Sequence, residues 1–318
     1  MLVSIGTPTY NRANGYLKYA LESALNQTYK NIEIIISDNC SPDNTEELVR
    51  SYNDERIRYV KHAKPLHPID NFNYCVEMAK GDYFLMLHDD DMIDPDFIET
   101  CITAAQGRTD YGMIRTGMRR IDEDGNVLNE RTNLAAGLNT KEFYKSWIED
   151  GKTPMHLCCT LFNTKGLREV GGFQSKKNLF ADVVPEVKLA AKYDRLDIED
   201  VKGSFRRHTG NLAGTGRIKD WCEDSHYLFN IMTELAGNHD EAFRKSGMHF
   251  FAGHCYRYAK TINNPAKRIA AYYIIYKSFD YSGSFFINKV IIKPVSSFMK
   301  RGVRKLTFRR PLSTNISN

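Results

Sequence analysis

The stretch Tyr83-Phe84-Leu85-Met86-Leu87-His88-Asp89-Asp90-Asp91 joins an apolar segment to three consecutive aspartates. Its apolar residues predict a buried strand, and the aspartates then stand at the carboxyl end of that strand. Neighbouring carboxylates repel one another, so a packed acidic cluster favours a cation as its partner. Oxygen ligands of this kind suit Mn²⁺ or Mg²⁺. An acidic turn that caps the next helix, at Asp94 or Pro95, is the alternative that this stretch leaves open.

The segments before this stretch alternate between strand and helix patterns. Strands are predicted over residues 3–6, 32–36 and 57–60, and helices over 16–25, from 45 onward and over 70–79. This alternation predicts a parallel sheet with helices on both faces. Ligands bind such sheets beyond the carboxyl ends of the strands. Because Asp38 follows the second strand, we expect Asp38 and the three aspartates to face one crevice.

The second half of the chain is less regular. Asp124-Gly125 between two apolar runs predicts a β-hairpin. A further strand is expected over 156–162, a loop and a helix over 177–192, and two paired short strands over 195–205. Beyond Trp221 the pattern is helical, with helices expected over 241–262 and 265–279.

Charge and cysteine content restrict the partners and the compartment. The chain carries a net charge of +5, but eight lysines and arginines and no acidic residue lie after residue 280, so the body is net negative. A negative body argues against nucleic acid as a partner. Seven cysteines without a CxxC pair suit a reducing cytoplasm. Since we find neither a signal-peptide pattern nor an apolar run of about 20 residues, we expect neither secretion nor membrane crossing.

The basic tail, residues 284–311, interleaves these cations with apolar residues. This pattern predicts an interfacial helix on an anionic membrane, and hence a cytoplasmic protein at the inner face of the cell membrane. The alternative is an amphipathic helix that packs on its own domain or on another subunit, which would make homo-oligomers through the C-terminal helices.

Five motifs in a fixed order resemble the nucleotide-binding half of family 2 glycosyltransferases of the GT-A fold. They occupy residues 3–12, 23–29, 36–43, 71–73 and 79–91. The resemblance covers about residues 1–215 and implies an α/β protein with a mixed sheet flanked by helices. It implies a nucleotide-binding half at 1–110 and an acceptor half at 111–215. An α-helical C-terminal region, 216–318, follows outside it.

The resemblance implies that Pro8, Tyr10, Arg12 and Asp38 hold the donor nucleobase, with Asn71 also in the donor site. A carboxylate can accept a hydrogen bond from N3–H of uracil, and a tyrosine can stack on the ring. Thymine offers the same N3–H, so a UDP-sugar is favoured over dTDP- or GDP-sugars without being fixed. Asp38 as an Asx-turn residue or helix cap, and Tyr10 as a core aromatic, are the alternatives.

The three aspartates match the metal-binding DxD element of the family. This match implies Asp91 as the direct ligand of Mn²⁺ or Mg²⁺, with Asp89 and Asp90 holding the nucleotide sugar or completing the metal site. Because relatives often carry an aspartate where this chain has His88, the order of roles within the three stays open.

Residues 206–211 resemble the Arg-x-His segment of the family, which implies His208 as a metal ligand and Arg207 on the diphosphate. Imidazole binds metals and a guanidinium can fork onto phosphate. The glycines Gly210, Gly214 and Gly216 predict a loop that closes over the donor.

Residues 170–173 followed by Phe180-Ala181-Asp182 resemble the acceptor segment, whose acidic residue is the base. This implies Asp182 as the catalytic base with Glu186 in reserve, although Asp182 as a simple helix cap is an alternative. The sequence therefore predicts an inverting, metal-dependent glycosyltransferase of bacterial surface-polysaccharide synthesis that transfers to a glycan or lipid-linked acceptor. An inactive nucleotide-sugar-binding scaffold and a metal-dependent nucleotidyltransferase are the rival functions.

Overall fold

A computed structural model describes residues 1–151, 153–208, 216–237 and 240–279. Within these ranges the chain forms nine strands: β1 Val3–Thr9, β2 Ile32–Asp38, β3 Ile57–Lys61, β4 Tyr83–Met86, β5 Met92–Ile93, β6 Met113–Ile121, β7 Val127–Arg131, β8 Thr160–Asn163 and β9 Arg195–Arg206. The helices are α1 Leu17–Leu25, α2 Thr45–Arg50, α3 Pro68–Met78, α4 Phe97–Ala104, α5 Thr140–Lys145, α6 Thr164–Glu169, α7 Val183–Lys192, α8 Ile218–Leu235, α9 Glu241–Ala259 and α10 Pro265–Ser278. The basic tail lies outside the described residues, as do Gly210 and Gly214.

One mixed sheet has the strand order β3-β2-β1-β4-β8-β6-β9-β5, with β7 beside β6. The first four strands of this order are parallel, as the alternation of patterns predicts. β1 continues through Pro8 to Thr9, beyond its predicted end, and Pro8 is buried there opposite Ser37. Since β4 pairs with β1 only as far as Gly6, the proline lies where β1 has a single neighbour, which a residue without an N–H tolerates.

The second half of the sheet is antiparallel around β8, which pairs with β4 and β6. The predicted hairpin is confirmed as β6 and β7. The expectation of two short strands over 195–205 is wrong, because β9 is one strand that pairs in parallel with β6 and also borders β5. Irregular pairing at Gly117 lets β9 stay continuous. A Cβ at that glycine would lie 2.6 Å from the carbonyl oxygen of Arg131.

Two apolar cores lie on the two faces of the sheet. One packs α1 and α4 against β1, β2 and β4. The other is larger and includes residues of α3, α7 and the three C-terminal helices, with Phe173, Leu228 and Phe251 among its fully buried members. The α/β architecture with a helical C-terminal region is therefore confirmed, and those helices share a core with the sheet. Among the described residues no helix has the length and apolarity needed to cross a bilayer.

Candidate functional site

The turn after β2 is held by the predicted donor residue Asp38. Its buried carboxylate accepts from the N–H of Ser41 at 2.8 Å and from the hydroxyl of Tyr59. Asn71, buried on α3, accepts from the hydroxyl of Ser37 at 2.6 Å and donates to the carbonyl of Ser37 at 3.1 Å. Both side chains are therefore held by hydrogen bonds at the end of β2. Their contacts with a donor stay predictions.

The end of β1 connects Asp38 to the aspartates that follow β4. Thr9 pairs with Asp38 across the sheet, and its hydroxyl donates to Asp89 Oδ2 at 2.8 Å. Arg12 Nε lies 3.6 Å from the same oxygen. Tyr10 stands beside them with 52% of its side chain exposed, so it is not a core aromatic. The structure therefore places Tyr10, Arg12 and Asp89 together at one edge of the crevice.

Asp90 and Asp91 lie close to two histidines. Asp90 Oδ2 is 2.9 Å from Nε2 of His208, and Asp91 Oδ2 is 3.8 Å from Nδ1 of His88. Side-chain atoms of His88, Asp90 and Asp91 suited to metal binding all lie within 4.8 Å of one another. In the described part of the chain, Nε2 of His88 is buried without a hydrogen-bond partner. His88, which the sequence marked only as a departure from the family, thus joins the predicted ligands.

The carboxylates in this cluster are buried and repel one another. Burial, followed by repulsion from Asp90, raises the pKa of Asp89 to about 6. The same two causes raise the pKa of Asp91 well above its ordinary value, and burial lowers the pKa of His88. A neutral imidazole beside clustered carboxylates offers nitrogen and oxygen ligands to a divalent cation such as Mn²⁺. The residues present therefore fit a divalent cation.

Arg206, at the end of β9, holds the turn that carries the aspartates. Its N–H donates to Asp91 Oδ1 at 3.0 Å, and its Nε donates to the carbonyl of Asp90 at 3.0 Å. The guanidinium also lies over the ring of Tyr16, 4.6 Å from the centroid. The predicted phosphate ligand Arg207 is exposed next to it, and its N–H donates to the carbonyl of Ile121 at 2.9 Å. The Arg-x-His motif indicated this region. It did not show that Arg206 has a structural role and that Arg207 is the exposed arginine.

The predicted base Asp182 caps α7, where its Oδ1 accepts from the N–H of Val183 at 3.0 Å. Burial raises the pKa of Asp182 to about 6. The reserve residue Glu186 is almost fully buried, with Oε2 at 3.3 Å from Nε of Arg115. Burial outweighs this ion pair and raises the pKa of Glu186 to about 8. Because Glu186 is enclosed with its arginine, Asp182 is the better placed of the two to reach an acceptor.

Asp224 on α8 is a residue that the sequence prediction missed. Its fully buried carboxylate accepts from the hydroxyl of Ser175 at 2.6 Å. It also accepts from the N–H groups of Lys177, Leu179 and Phe180 at 2.8–3.0 Å. These bonds fix the loop that leads into Asp182. The only signal in the sequence was an acidic residue on the apolar face of a predicted helix.

Comparison with known proteins gives the site its context. Residues 4–171, more than half of the chain, match the sequence model described as Glycosyl transferase family 2. Chondroitin synthase from Pasteurella multocida (strain Pm70) is 32% identical over 178 residues, which are 55% of this chain and 17% of that protein. The chain thus spans less than a fifth of the length of that relative.

Solved structures share the fold at low identity. Residues 1–349 of TarS from S. aureus, in complex with UDP, match with a TM-score of 0.66 at 14% identity, over 87% of this chain and 81% of that chain. The mannosyltransferase PcManGT from Pyrobaculum calidifontis, in complex with GDP-Man and Mn²⁺, matches with a TM-score of 0.53 at 16% identity, over 96% of this chain and 81% of that chain. The family match covers the strands that carry Asp38 and the three aspartates, and the chain belongs to glycosyl transferase family 2.

Proposed function

We propose that the protein is an inverting, metal-dependent glycosyltransferase that moves a sugar from a UDP-sugar to a hydroxyl of a glycan or lipid-linked acceptor. The observation that carries this proposal is the cluster of His88, Asp90 and Asp91 after β4, whose possible ligand atoms lie within 4.8 Å of one another. The neighbours solved with UDP and with GDP-Man support a nucleotide-sugar donor. The relative named chondroitin synthase supports a role in bacterial surface-polysaccharide synthesis.

A divalent cation would be held by His88, Asp90, Asp91 and His208. When bound, Mn²⁺ or Mg²⁺ supplies positive charge that stabilises a departing nucleoside diphosphate. The residues around it would complete the donor site: Asp89 would contact the nucleotide sugar, while Tyr10, Arg12 and Asp38 would border the nucleobase. Because Thr9 fixes Asp89 and Arg206 fixes Asp91, the site is organised before the donor binds.

Asp182 acts on the acceptor. As the acceptor oxygen attacks the anomeric carbon, the bond from that carbon to the diphosphate oxygen breaks on the opposite face, and the configuration inverts. The hydroxyl proton passes to the Asp182 carboxylate and then to solvent. With a pKa of about 6, Asp182 is largely ionised at neutral pH and is a stronger base than an ordinary aspartate.

The organisation of the chain follows the same proposal. Residues 1–110 bind the donor, residues 111–215 bind the acceptor, and the region from 216 onward supports the acceptor side through α8 and α9. The acid-free basic tail supports a peripheral position at the cytoplasmic face of the membrane, where a lipid-linked acceptor would be found. Assembly through the C-terminal helices would be tested by the mass of the protein in solution.

A thermal-shift panel of UDP-, dTDP- and GDP-sugars, with and without Mn²⁺, tests the proposal. We expect stabilisation by a UDP-sugar that depends on Mn²⁺, and release of nucleoside diphosphate when an acceptor is added. Release of pyrophosphate would instead show a nucleotidyltransferase. Donor binding without any turnover would show a scaffold, and no stabilisation by any nucleotide would refute the proposal.

A further inference from the structure

Three arginines at one end of β6, β7 and β9 have no acidic partner among the residues that the structure describes. Arg120 on β6 lies opposite Phe205 of β9, and Arg131 on β7 lies opposite Met118, two residues before Arg120. Arg207 follows β9 and is bound through its N–H to the carbonyl of Ile121, the residue after Arg120. The register therefore gathers Arg120, Arg131 and Arg207 into one group, which we call the basic cluster.

The basic cluster differs from the arginines around it. Arg119, the neighbour of Arg120, is paired with Asp94 at 2.6 Å and with Glu130 at 3.2 Å. Across the described ranges none of the three members of the basic cluster forms an ion pair, and Nε of Arg120 is buried without a hydrogen-bond partner. Burying part of a guanidinium without an acceptor is costly. The fold therefore maintains a positive site that an anionic ligand would complete.

Electrostatic effects show that the three charges act on one another. Burial, followed by the charges of Arg131 and Arg207, lowers the pKa of Arg120. Burial together with Arg120 and Arg131 lowers the pKa of the adjacent His156 to about 4, and His88 of the metal cluster contributes to the same shift. The imidazole of His156 is thus neutral and gives the basic cluster no negative charge. Like charges held this close favour a bound anion.

The position of the basic cluster points to the acceptor. Arg120 and Arg131 belong to residues 111–215, the part of the chain that the proposed function assigns to the acceptor. The donor is expected at the ends of β1 and β4, whereas β6, β7 and β9 belong to the other part of the sheet. An anion held by Arg120 and Arg131 would therefore lie on the acceptor side.

We propose that Arg120, Arg131 and Arg207 form a subsite for an acidic acceptor, in which they bind a carboxylate or phosphate group near the hydroxyl that is glycosylated. This proposal assigns Arg207 to the acceptor instead of the donor diphosphate that the resemblance implied. The inference rests on the proposed function and adds the substrate class of the acceptor. Guanidinium groups bind both anions through paired hydrogen bonds, so uronate-containing and phosphate-containing chains are two sources of the same chemistry.

Binding of three tetramers in the presence of UDP and Mn²⁺ tests the inference: hyaluronan tetrasaccharide, a glycerol-phosphate tetramer and neutral chitotetraose. We expect at least one acidic probe to bind about tenfold more tightly than chitotetraose, and Arg120→Ala/Arg131→Ala to remove at least about tenfold of that affinity. The Kd of UDP with Mn²⁺ should stay within about twofold of the parent. The probe that binds identifies the source of the anion.

Arg131→Ala alone changes an exposed side chain, so this single variant should fold like the parent. Arg244→Ala/Lys219→Ala, which removes two exposed cations outside the basic cluster, should leave the affinity of the acidic probe unchanged. Equal binding of neutral and acidic probes would overturn the inference. So would a parallel loss of UDP affinity in the double variant, which would assign these arginines to the donor. Failure of the parent to bind UDP would instead refute the proposed function.

Discussion

Asp224 and Asp91 are both buried acidic residues, but their surroundings differ. Asp224 receives four hydrogen bonds from the loop before Asp182. Asp91 receives one backbone hydrogen bond, from Arg206, and its pKa is raised well above the ordinary value of an aspartate. A buried carboxylate with enough fixed donors needs no further partner, whereas one that lacks them requires a proton or a cation. Asp224 is therefore part of the framework, and Asp91 has the surroundings that the proposed cation site requires.

The largest effect is expected from Asp91→Asn. Loss of a direct cation ligand should lower kcat/KM by at least about 10³-fold, and Mn²⁺ should no longer raise the unfolding temperature. Without metal, the variant should be as stable as the parent or more stable, because the amide removes a repelling charge. Calorimetry measures the unfolding temperature with and without Mn²⁺. Asp124→Asn, on the exposed hairpin, is the control. A metal-free Asp91→Asn protein that is less stable than the parent would show that Asp91 is held by fixed donors, as Asp224 is.

Asp182→Asn tests the residue that the Asp224 loop positions. Removal of the proposed general base should lower kcat by about 10³-fold, while Kd for UDP and Mn²⁺ stays near that of the parent. The rate is measured as release of nucleoside diphosphate, and binding is measured calorimetrically. Glu186→Gln should leave kcat near that of the parent, because Glu186 is enclosed with Arg115 and its pKa of about 8 keeps it largely neutral at pH 7. Unchanged turnover in Asp182→Asn would assign the base elsewhere.

Asp224→Ala should impair the loop before Asp182 without affecting the binding of Mn²⁺ or UDP. It leaves three backbone N–H groups and a hydroxyl without their acceptor, so we expect a loss of about 3 kcal/mol in the free energy of unfolding. Displacement of the loop should lower kcat by about 10²-fold. Mn²⁺ and UDP should bind as in the parent, because the aspartates after β4 are unaffected.

Asp224→Asn keeps one acceptor oxygen and should recover part of both losses. Urea denaturation and steady-state kinetics provide the measurements. If Asp224→Ala weakened Mn²⁺ binding as strongly as Asp91→Asn does, the distinction between a structural Asp224 and a metal-binding Asp91 would be wrong.

The sequence predicted what neighbouring residues determine. Alternating patterns gave the parallel strands, and strand ends located Asp38 and Asp89 on one edge. It did not predict Asp224 as the anchor of a loop 44–49 residues earlier, because a helical pattern does not specify what a helix packs against. The burial of Glu186 with Arg115 escaped prediction for the same reason. Local turns are encoded locally, whereas the acceptor side depends on contacts between distant segments.

The smallest effect is a change in pH dependence that links Asp224 to the base. Asp182 has a pKa of about 6, so kcat should fall below about pH 6 as the base becomes protonated. The negative charge of Asp224 contributes to that raised pKa, and Asp224→Asn should therefore move the acidic limb of the kcat profile to lower pH.

The pH dependence of the free energy of unfolding has the opposite sign to that of kcat. Because the folded-state pKa of Asp182 lies above the ordinary 3.8, its contribution is fully present below about pH 4 and is lost as pH rises through 6. Asp182→Asn should lack this component of the pH dependence in urea denaturation. An acidic limb that stays in place in Asp224→Asn would show that the Asp224 charge is fully screened by its hydrogen bonds, and that its role in the loop is geometric alone.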